Sequence, residues 1–231
     1  MKLAIMQPYF FPYIGYFQLI HAVDKLVFYD DVNYIKGGWI NRNRLFLSGE
    51  VRYITVPLAG ASSFEKINST KIRNDGNWQK QMLSVIQQSY ARAPYYGPVI
   101  DLVERVINSH DGCIASLAKN SIVAVSEYLS LDTSFVNSSS IYNNQELKGV
   151  TRVLDICNQE NANQYWNVPG GRDLYSPDEF EAAGIDLQFV DVGIAPYKQL
   201  APDFHPGLSI IDVLMFNDKD KVAELISSRR A

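Results

Sequence analysis

Three polar clusters follow segments of the chain that have the composition of buried strands. The clusters are Gln7-Pro8-Tyr9, Asp30-Asp31 and Pro169-Gly170-Gly171. In sheets of parallel strands, ligands bind outside the carboxyl ends of the strands, where such side chains meet. We therefore expect the three clusters to line one cleft.

The adjacent carboxylates of Asp30 and Asp31 are the first candidates for catalysis. Successive side chains of a strand point to opposite faces, so at most one of the two enters the cleft. That carboxylate could act as a general base toward an amine or a hydroxyl, or it could bind a divalent ion or a ribose. A helix cap or an ion pair with Arg42 explains the two residues equally well.

Aromatic and basic residues near the amino end suit the recognition of a phosphorylated sugar. Tyrosine offers a stiff apolar ring with a polar tip, and arginine grips phosphate with two hydrogen bonds. A glycine at the start of a helix lets the backbone approach a phosphate. The candidate binding residues in this part of the chain are Gln7, Tyr9, Tyr13, Gly15, Tyr16, Lys36, Asn41, Arg42 and Asn43. Core packing of the tyrosines and a plain surface strand around the arginines are the competing interpretations.

The order of strand, proline-broken loop and Tyr13-Ile14-Gly15-Tyr16 is similar to the His-x-Gly-His loop of nucleotidylyltransferases. Both histidine positions are tyrosine here. A neutral phenol donates a hydrogen bond but carries no charge to stabilise a triphosphate. Adenylyl transfer is therefore an alternative, and a glycine that permits close packing of a helix on a strand explains the motif as well.

The second half of the chain adds fewer candidates. The pair Gly170-Gly171 would let the backbone pass close to a ligand, although a tight turn needs the same residues. Tyr175 and Gln199 are further candidate binding residues. Among the three histidines, His205 lies in a proline-rich stretch and is the one that we expect to act as a base.

Composition excludes several classes of protein. The chain has 231 residues, 47% of them hydrophobic, and a net charge of −4, which argues against disorder and against general nucleic-acid binding. Its apolar runs are shorter than the roughly 20 residues of a membrane span, and the first ends too early for a signal peptide, so we expect a cytoplasmic protein. Cys113 and Cys157 have neither metal-ligand nor disulfide spacing, and we predict no metal site and leave the cofactor undetermined.

Strand and helix patterns alternate along the chain. The predicted strands are 2–6, 25–29, 39–47, 51–57, 66–72, 133–136, 165–168 and 185–190. The predicted helices are 13–23, 78–90, 111–131, 149–158, a short helix from 176, and 209–229. Pro94 and Pro98 punctuate the segment between two of these helices, and Ser209 with Asp212 has the spacing of a capping box.

This order favours an α/β fold. The first thirty residues form a minimal strand–helix–strand unit, which implies a parallel pair with a right-handed crossover. We predict a mainly parallel, doubly wound, Rossmann-like sheet with a helical C-terminal end. A single domain would span residues 1–231, with a mostly helical insertion around 75–131.

Several motifs together resemble the WbqC-like family over essentially the whole chain. They are 6–20 (MQPYFFPYIGYFQLI), Asp30-Asp31-Val32, 39–43 (WINRN), Gly170-Gly171 with Leu174-Tyr175, and 208–212 (LSIID). The resemblance implies a role in bacterial surface-polysaccharide synthesis, especially of the O-antigen of lipopolysaccharide. It also implies modification of amino sugars by an acyl or aminoacyl group such as glycyl.

Three functions follow from these observations. The leading hypothesis is a transferase that binds a nucleotide-linked sugar and an activated acyl or aminoacyl donor and modifies the sugar amine. Asp30, Asp31 or His205 would accept the proton, Lys36 and Arg42 with the helix start at Gly15 would hold phosphate, and tyrosines would stack on the sugar or base. The alternatives are an ATP-dependent ligase or nucleotidylyltransferase, and a non-catalytic module that binds a nucleotide sugar. A homo-oligomer is possible in each case.

Overall fold

The computed structural model describes residues 1–74 and 76–227. Its strands are β1 (Lys2–Met6), β2 (Lys25–Phe28), β3 (Arg42–Leu47), β4 (Glu50–Thr55), β5 (Ser134–Val136), β6 (Gln164–Asn167) and β7 (Asp186–Phe189). Its helices are α1 (Ile14–Ala22), α2 (Trp78–Tyr90), α3 (Tyr96–Asn108), α4 (Ile114–Tyr128), α5 (Gly149–Gln159), α6 (Pro177–Ala182), α7 (Ile210–Phe216) and α8 (Lys219–Ser227).

Five parallel strands form the central sheet in the order β5-β2-β1-β6-β7. From the central strand β1 the chain first builds outward through β2 and β5, and it then returns to add β6 and β7 on the other side. The direction of winding therefore reverses between β1 and β6, as in Rossmann-like sheets. The predicted parallel α/β fold is confirmed, as is the parallel pairing of β1 and β2 around α1.

Alternating side chains of the sheet supply two hydrophobic clusters. On one face, Ala4 and Met6 pack with α1 to α4, α7 and α8 in the larger cluster. On the other face, Leu3 and Ile5 pack with α5 and α6 in the smaller cluster. The strand period of two residues thus gives a sheet that is buried on both sides, which is why its strands read as nearly continuous apolar runs.

Three local predictions were wrong. The segment expected to be interrupted by Pro94 and Pro98 contains the helix α3, because Pro98 is its third residue and no intrahelical donor is needed in the first turn. The predicted strand 66–72 is instead a short 3-10 turn, Ile67–Ser69, flanked by isolated β-bridges at Lys66, Lys71 and Ile72. The predicted helix 209–229 divides into α7 and α8, and its positions 228 and 229 lie outside the described residues.

A two-stranded antiparallel hairpin, β3 with β4, lies apart from the central sheet. Its predicted turn at Ser48-Gly49 is present, and both residues have positive φ angles. Within the described residues, no helix combines the length and the apolar character that crossing a bilayer requires. The same part of the chain contains no group of three or more His, Cys, Asp or Glu side chains placed to hold a metal ion.

Candidate functional site

The acidic pair after β2 is buried in two separate ion pairs. Asp30 is 1% exposed and accepts hydrogen bonds from Lys119 Nζ at 2.9 Å and from Ser138 Oγ at 2.6 Å. Asp31 is 6% exposed and accepts from Arg152 Nη2 at 2.6 Å and from the Ser139 hydroxyl. Because Lys119 belongs to α4 and Arg152 to α5, the pair connects helices on opposite faces to the end of one strand.

In this geometry both carboxylates connect packed helices to the sheet through ion pairs, and their role as bases stays a prediction. Burial alone would raise the pKa of Asp31, but the hydrogen bonds from Arg152 and Ser139 outweigh burial and hold that pKa below its usual value. A carboxylate with a lowered pKa is a weak proton acceptor. The competing expectation of an ion pair with Arg42 is wrong, since the partners are Lys119 and Arg152.

Two adjoining depressions lie at the start of α1. The first, about 200 Å³ and called here the Arg44 pocket, is lined by Tyr9, Pro12, Tyr13, Trp39, Asn43, Arg44 and Gly207. The second, about 520 Å³ and called here the apolar cleft, is lined by Tyr13, Ile14, Gly15, 192–194, Pro196, Phe204, Pro206 and Gly207. Tyr13 and Gly207 belong to both, so the two spaces share a wall.

Arg44 gives the first pocket its charge. Its Nη2 donates to the Gly207 carbonyl at 3.1 Å, and its guanidinium carbon lies 5.3 Å from the centre of the Trp39 ring. Its Nε is the one buried side-chain nitrogen or oxygen without a hydrogen-bond partner in the described parts of the chain. A buried unpaired donor is costly, and an anionic oxygen satisfies it with a strong, charge-assisted bond.

The loop between β1 and α1 is held in a strained shape beside this pocket. Phe11 has a φ angle of 41°, in the left-handed region that a bulky residue rarely adopts. Asn43 Nδ2 donates to the Phe11 carbonyl at 2.9 Å, Ser209 Oγ donates to it at 2.7 Å, and the Phe11 amide donates to Ser121 Oγ at 2.9 Å. Strain that surrounding side chains hold in place is common at functional sites. Asn43 therefore positions the loop and also lines the pocket.

Gly15 has a steric role at the wall between the two spaces. A Cβ atom at this position would overlap the ring of Tyr13. Tyr13 itself is the N-cap residue of α1, and no side chain caps that end of the helix. Gly15 thus makes room for the Tyr13 ring, and the uncapped helix start directs its positive end toward the shared wall.

The remaining predicted residues near the amino end take structural positions. Tyr16 is fully buried, and its hydroxyl donates to the Gln7 carbonyl at 3.0 Å. Asn41 is buried, accepts from the Tyr34 hydroxyl and donates to the Val56 carbonyl. Of the predicted tyrosines in this region, the structure brings Tyr9 and Tyr13 to the pocket and leaves Tyr16 in the core.

The basic residues predicted for phosphate lie on a loop and a strand edge. Arg42 donates from Nε to the Gly38 carbonyl at 3.1 Å and from Nη2 to the Gly37 carbonyl. Its guanidinium carbon lies 4.3 Å from the centre of the Tyr53 ring. Lys36 is exposed on the same loop. Arg42 therefore fixes the loop 36–39, which carries Trp39 to the pocket.

The third cluster, at the end of β6, lies beside the smaller core. Gly171 is buried, and a Cβ atom there would come within 3.0 Å of the Asn167 side chain, whereas Gly170 is exposed. The Tyr165 hydroxyl donates to the Tyr175 hydroxyl at 3.4 Å, and the Tyr175 ring packs edge-on against Phe180. The structure places these residues under α5 and α6, whereas the Arg44 pocket lies on the side of α1.

A buried carboxylate organises the loop 197–207, whose last residues line both spaces. Asp212 accepts from Tyr90 at 2.7 Å, from Tyr197 at 2.6 Å and from Gln199 at 3.0 Å, so it does not form the predicted capping box. Burial raises the pKa of Asp212, although these donors partly oppose the change. Gln199 also donates to the His205 carbonyl at 3.2 Å and accepts from the His205 amide at 2.8 Å.

Of the predicted catalytic residues, His205 is the closest in sequence to residues that line the apolar cleft. Its side chain is partly exposed and stacks on Phe46, with 5.8 Å between the ring centres. The next two residues, Pro206 and Gly207, line the apolar cleft. Its assignment as a base stays a prediction, and Gln199 acts on it as a positioning residue.

The candidate binding residues chosen from the sequence do not include Arg44, Trp39, Pro12 or Gly207. The signal for Arg44 was present, because residues two apart on a strand share a face and Arg44 therefore accompanies Arg42. Gly207 has a φ angle of 76°, and its closeness to Arg44 depends on a fold of the chain that joins positions 163 residues apart. No local pattern reports such a contact.

Comparison with known proteins assigns the chain to one family. The model of the WbqC-like protein family matches residues 7–224. A relative from Mycobacterium tuberculosis, the uncharacterized protein Rv1507c, is 33% identical over 221 residues, which cover 94% of this chain and 93% of that protein. No solved structure matches the chain. The chain belongs to the WbqC-like protein family.

Proposed function

We propose that the protein transfers an acyl or aminoacyl group to the amine of a nucleotide-linked amino sugar during the synthesis of a bacterial surface polysaccharide. The observation that carries the proposal is Arg44, which lines a pocket together with aromatic rings and whose buried Nε has no hydrogen-bond partner. The resemblance to the family supplies the class of reaction, and the pocket supplies a place for the substrate.

The Arg44 pocket combines the two contacts that a nucleotide-linked sugar needs. A phosphate group would pair with the Arg44 guanidinium, which lines the pocket and whose Nε has no partner. The rings of Tyr9, Tyr13 and Trp39 offer faces for a sugar or a base. The uncapped start of α1 adds a favourable dipole for an anion at the shared wall.

The transfer itself needs few protein groups. The sugar nitrogen attacks the carbonyl carbon of the donor, a C–N bond forms, and the bond to the leaving group breaks with its electron pair on that group. For a thioester donor the leaving group is a thiolate. The proton that the nitrogen loses passes to a base, and His205 is our candidate because Asp30 and Asp31 are held in ion pairs.

The test is transfer by the purified protein, followed by mass spectrometry, with dTDP-linked amino sugars and thioester donors. Arg44→Lys keeps a positive charge but removes the fork of donors, so we expect KM for the nucleotide sugar to rise about tenfold or more with little change in kcat. Arg52→Lys is the matched control, because Arg52 is exposed on β4 and pairs with Glu50. Absence of a mass gain with every pair, together with no thermal shift by nucleotide sugars, would overturn the proposal.

One observation favours a second function, that of a non-catalytic module that binds a nucleotide sugar. Both carboxylates predicted as bases are engaged in buried ion pairs. The module predicts a thermal shift with nucleotide sugars but no product with any donor. Release of pyrophosphate from ATP with a carboxylic acid would instead identify the ligase that the Tyr13-Ile14-Gly15-Tyr16 loop suggested.

A further inference from the structure

We infer that the apolar cleft beside Tyr13 binds a straight hydrocarbon acyl chain, with its reactive end turned toward the Arg44 pocket. The inference rests on the proposed function for the role of that chain as donor. It selects an apolar acyl group over the aminoacyl alternative. The cleft is larger than the Arg44 pocket, at about 520 Å³ against about 200 Å³.

The side chains that line the cleft are almost entirely apolar. Of its ten lining residues, Tyr13 alone has a polar atom in its side chain. The cleft wall is made of aliphatic, aromatic and proline side chains, among them Ile14, Val192, Ile194 and Phe204. No carboxylate lines the cleft to pair with the ammonium group of an aminoacyl donor, and burying an unpaired charge is costly.

The backbone groups of Gly193, in one part of the wall, are already hydrogen-bonded within the protein. Gln18 is 2% exposed, and its Nε2 donates to the Gly193 carbonyl at 2.7 Å. The Gly193 amide donates back to Gln18 Oε1 at 3.2 Å. These two bonds occupy the polar groups of Gly193, so the edge of a nucleobase finds no partner there, whereas a hydrocarbon chain needs none.

The position of the cleft suits a donor. It shares Tyr13 and Gly207 with the Arg44 pocket, so a chain that fills the cleft ends where the two spaces meet. A nucleotide-linked amine in the Arg44 pocket would approach the same wall from the other side. The two ligands therefore use separate residues and meet only at Tyr13 and Gly207.

The test measures binding without any sugar. The probes are S-acyl-N-acetylcysteamine thioesters with acyl chains of two to eight carbons, titrated by calorimetry against the full chain. A chain that enters the cleft gains apolar burial with each methylene, so we expect affinity to rise about fourfold per methylene until the cleft is full. Equal affinities across the series would overturn the inference.

Variants of residues that line the cleft test whether the dependence of affinity on chain length arises there. Val192→Asp puts a charge at a partly exposed position of the cleft and should abolish the dependence on chain length. Val85→Asp makes the same change on α2, at a residue 38% exposed, and should leave the dependence intact. Phe204→Ala removes a ring without adding charge and should reduce affinity for the longest chains by about tenfold or more. A chain-length dependence that survives both cleft variants would refute the assignment.

The outcome is separable from that of the proposed function. Arg44→Lys should weaken nucleotide-sugar binding and leave the chain-length series unchanged. Flat thioester affinities with successful transfer of a glycyl or acetyl group would overturn the inference alone. A steep series with no transfer to any amino sugar would support the cleft assignment and count against the transferase.

Discussion

Substitutions in the ion pair of Asp31 with Arg152 can distinguish a structural role of Asp31 from a catalytic one. Both side chains are nearly fully buried, at 7% and 4% exposure, and their oxygen and nitrogen lie 2.6 Å apart. Asp31→Asn leaves the Arg152 guanidinium buried without its counter-charge. Arg152→Met has the converse effect, because it leaves a carboxylate buried among Ser139 and the end of β2.

The expected cost follows from burial. Removing one partner of a buried ion pair costs about 3–5 kcal/mol, which in a protein of this size lowers Tm by about 6–20 °C. The double variant Asp31→Leu with Arg152→Met removes both charges, so it should recover most of the lost stability. Recovered stability in the double variant is the diagnostic result, because this variant restores the packing of the site without restoring a carboxylate.

The assay is chemical denaturation of the native chain, Asp31→Asn, Arg152→Met and the double variant, and transfer activity is measured for each. Exposed controls are Glu50→Gln and Arg52→Met, which break a surface ion pair and should change stability by less than about 1 kcal/mol. If Asp31→Asn keeps wild-type stability but loses turnover, the structural assignment of Asp31 is refuted. Activity in the stable double variant would instead exclude Asp31 as the base.

The pH dependence of stability has a defined sign. The folded-state pKa of Asp31 is lowered, so its contribution is present above the unfolded pKa of about 3.9 and is lost as the pH falls through the folded value. The free energy of unfolding should therefore fall less steeply at low pH in the double variant than in the native chain. The same pH dependence of stability in both proteins would contradict a stabilising ion pair at Asp31.

Two further predictions concern the walls of the two spaces. Gly15→Ala should lower the affinity for nucleotide sugars and for thioesters, because the new Cβ displaces the Tyr13 ring. The change should do so even though alanine is more favourable than glycine in a helix by about 1 kcal/mol. Calorimetry with both ligands measures the two affinities, and unchanged values would refute the prediction. Tyr197→Phe removes a donor from buried Asp212, so it should lower the free energy of unfolding by about 1–3 kcal/mol and speed proteolysis within 197–207. The control is Tyr53→Phe, which changes an exposed ring. Equal cleavage rates in the two variants would contradict the role of the Asp212 network.

The fold followed from the sequence because its elements are locally encoded. The apolar runs 2–6 and 25–29, separated by one helix, admit few arrangements besides a parallel pair. The wrong predictions have local causes as well. Pro98 was interpreted as a break, yet it occupies the first turn of α3, where proline is tolerated.

The candidate site was harder to predict because distant segments build it. Tyr9 and Tyr13 were found because they stand in one motif directly after β1. The arginine that charges the pocket lies on the hairpin, and its partner Gly207 comes from a loop near the end of the chain. Strand alternation placed Asp30 and Asp31 on opposite faces, but only the packed helices show that each has a cationic partner.

The structure does not bring the three predicted polar clusters together in one cleft at the sheet edge. The ends of β2 and β6 hold ion pairs and packed rings that join the layers. The Arg44 pocket and the apolar cleft instead lie beside β1, where the hairpin and the loop 197–207 fold over the start of α1. A ligand there contacts segments whose relative placement depends on Asn43, Ser209 and the Asp212 network. Those residues should therefore influence binding more than the conspicuous aspartates do, and weakening them should loosen both spaces at once while leaving the central sheet intact.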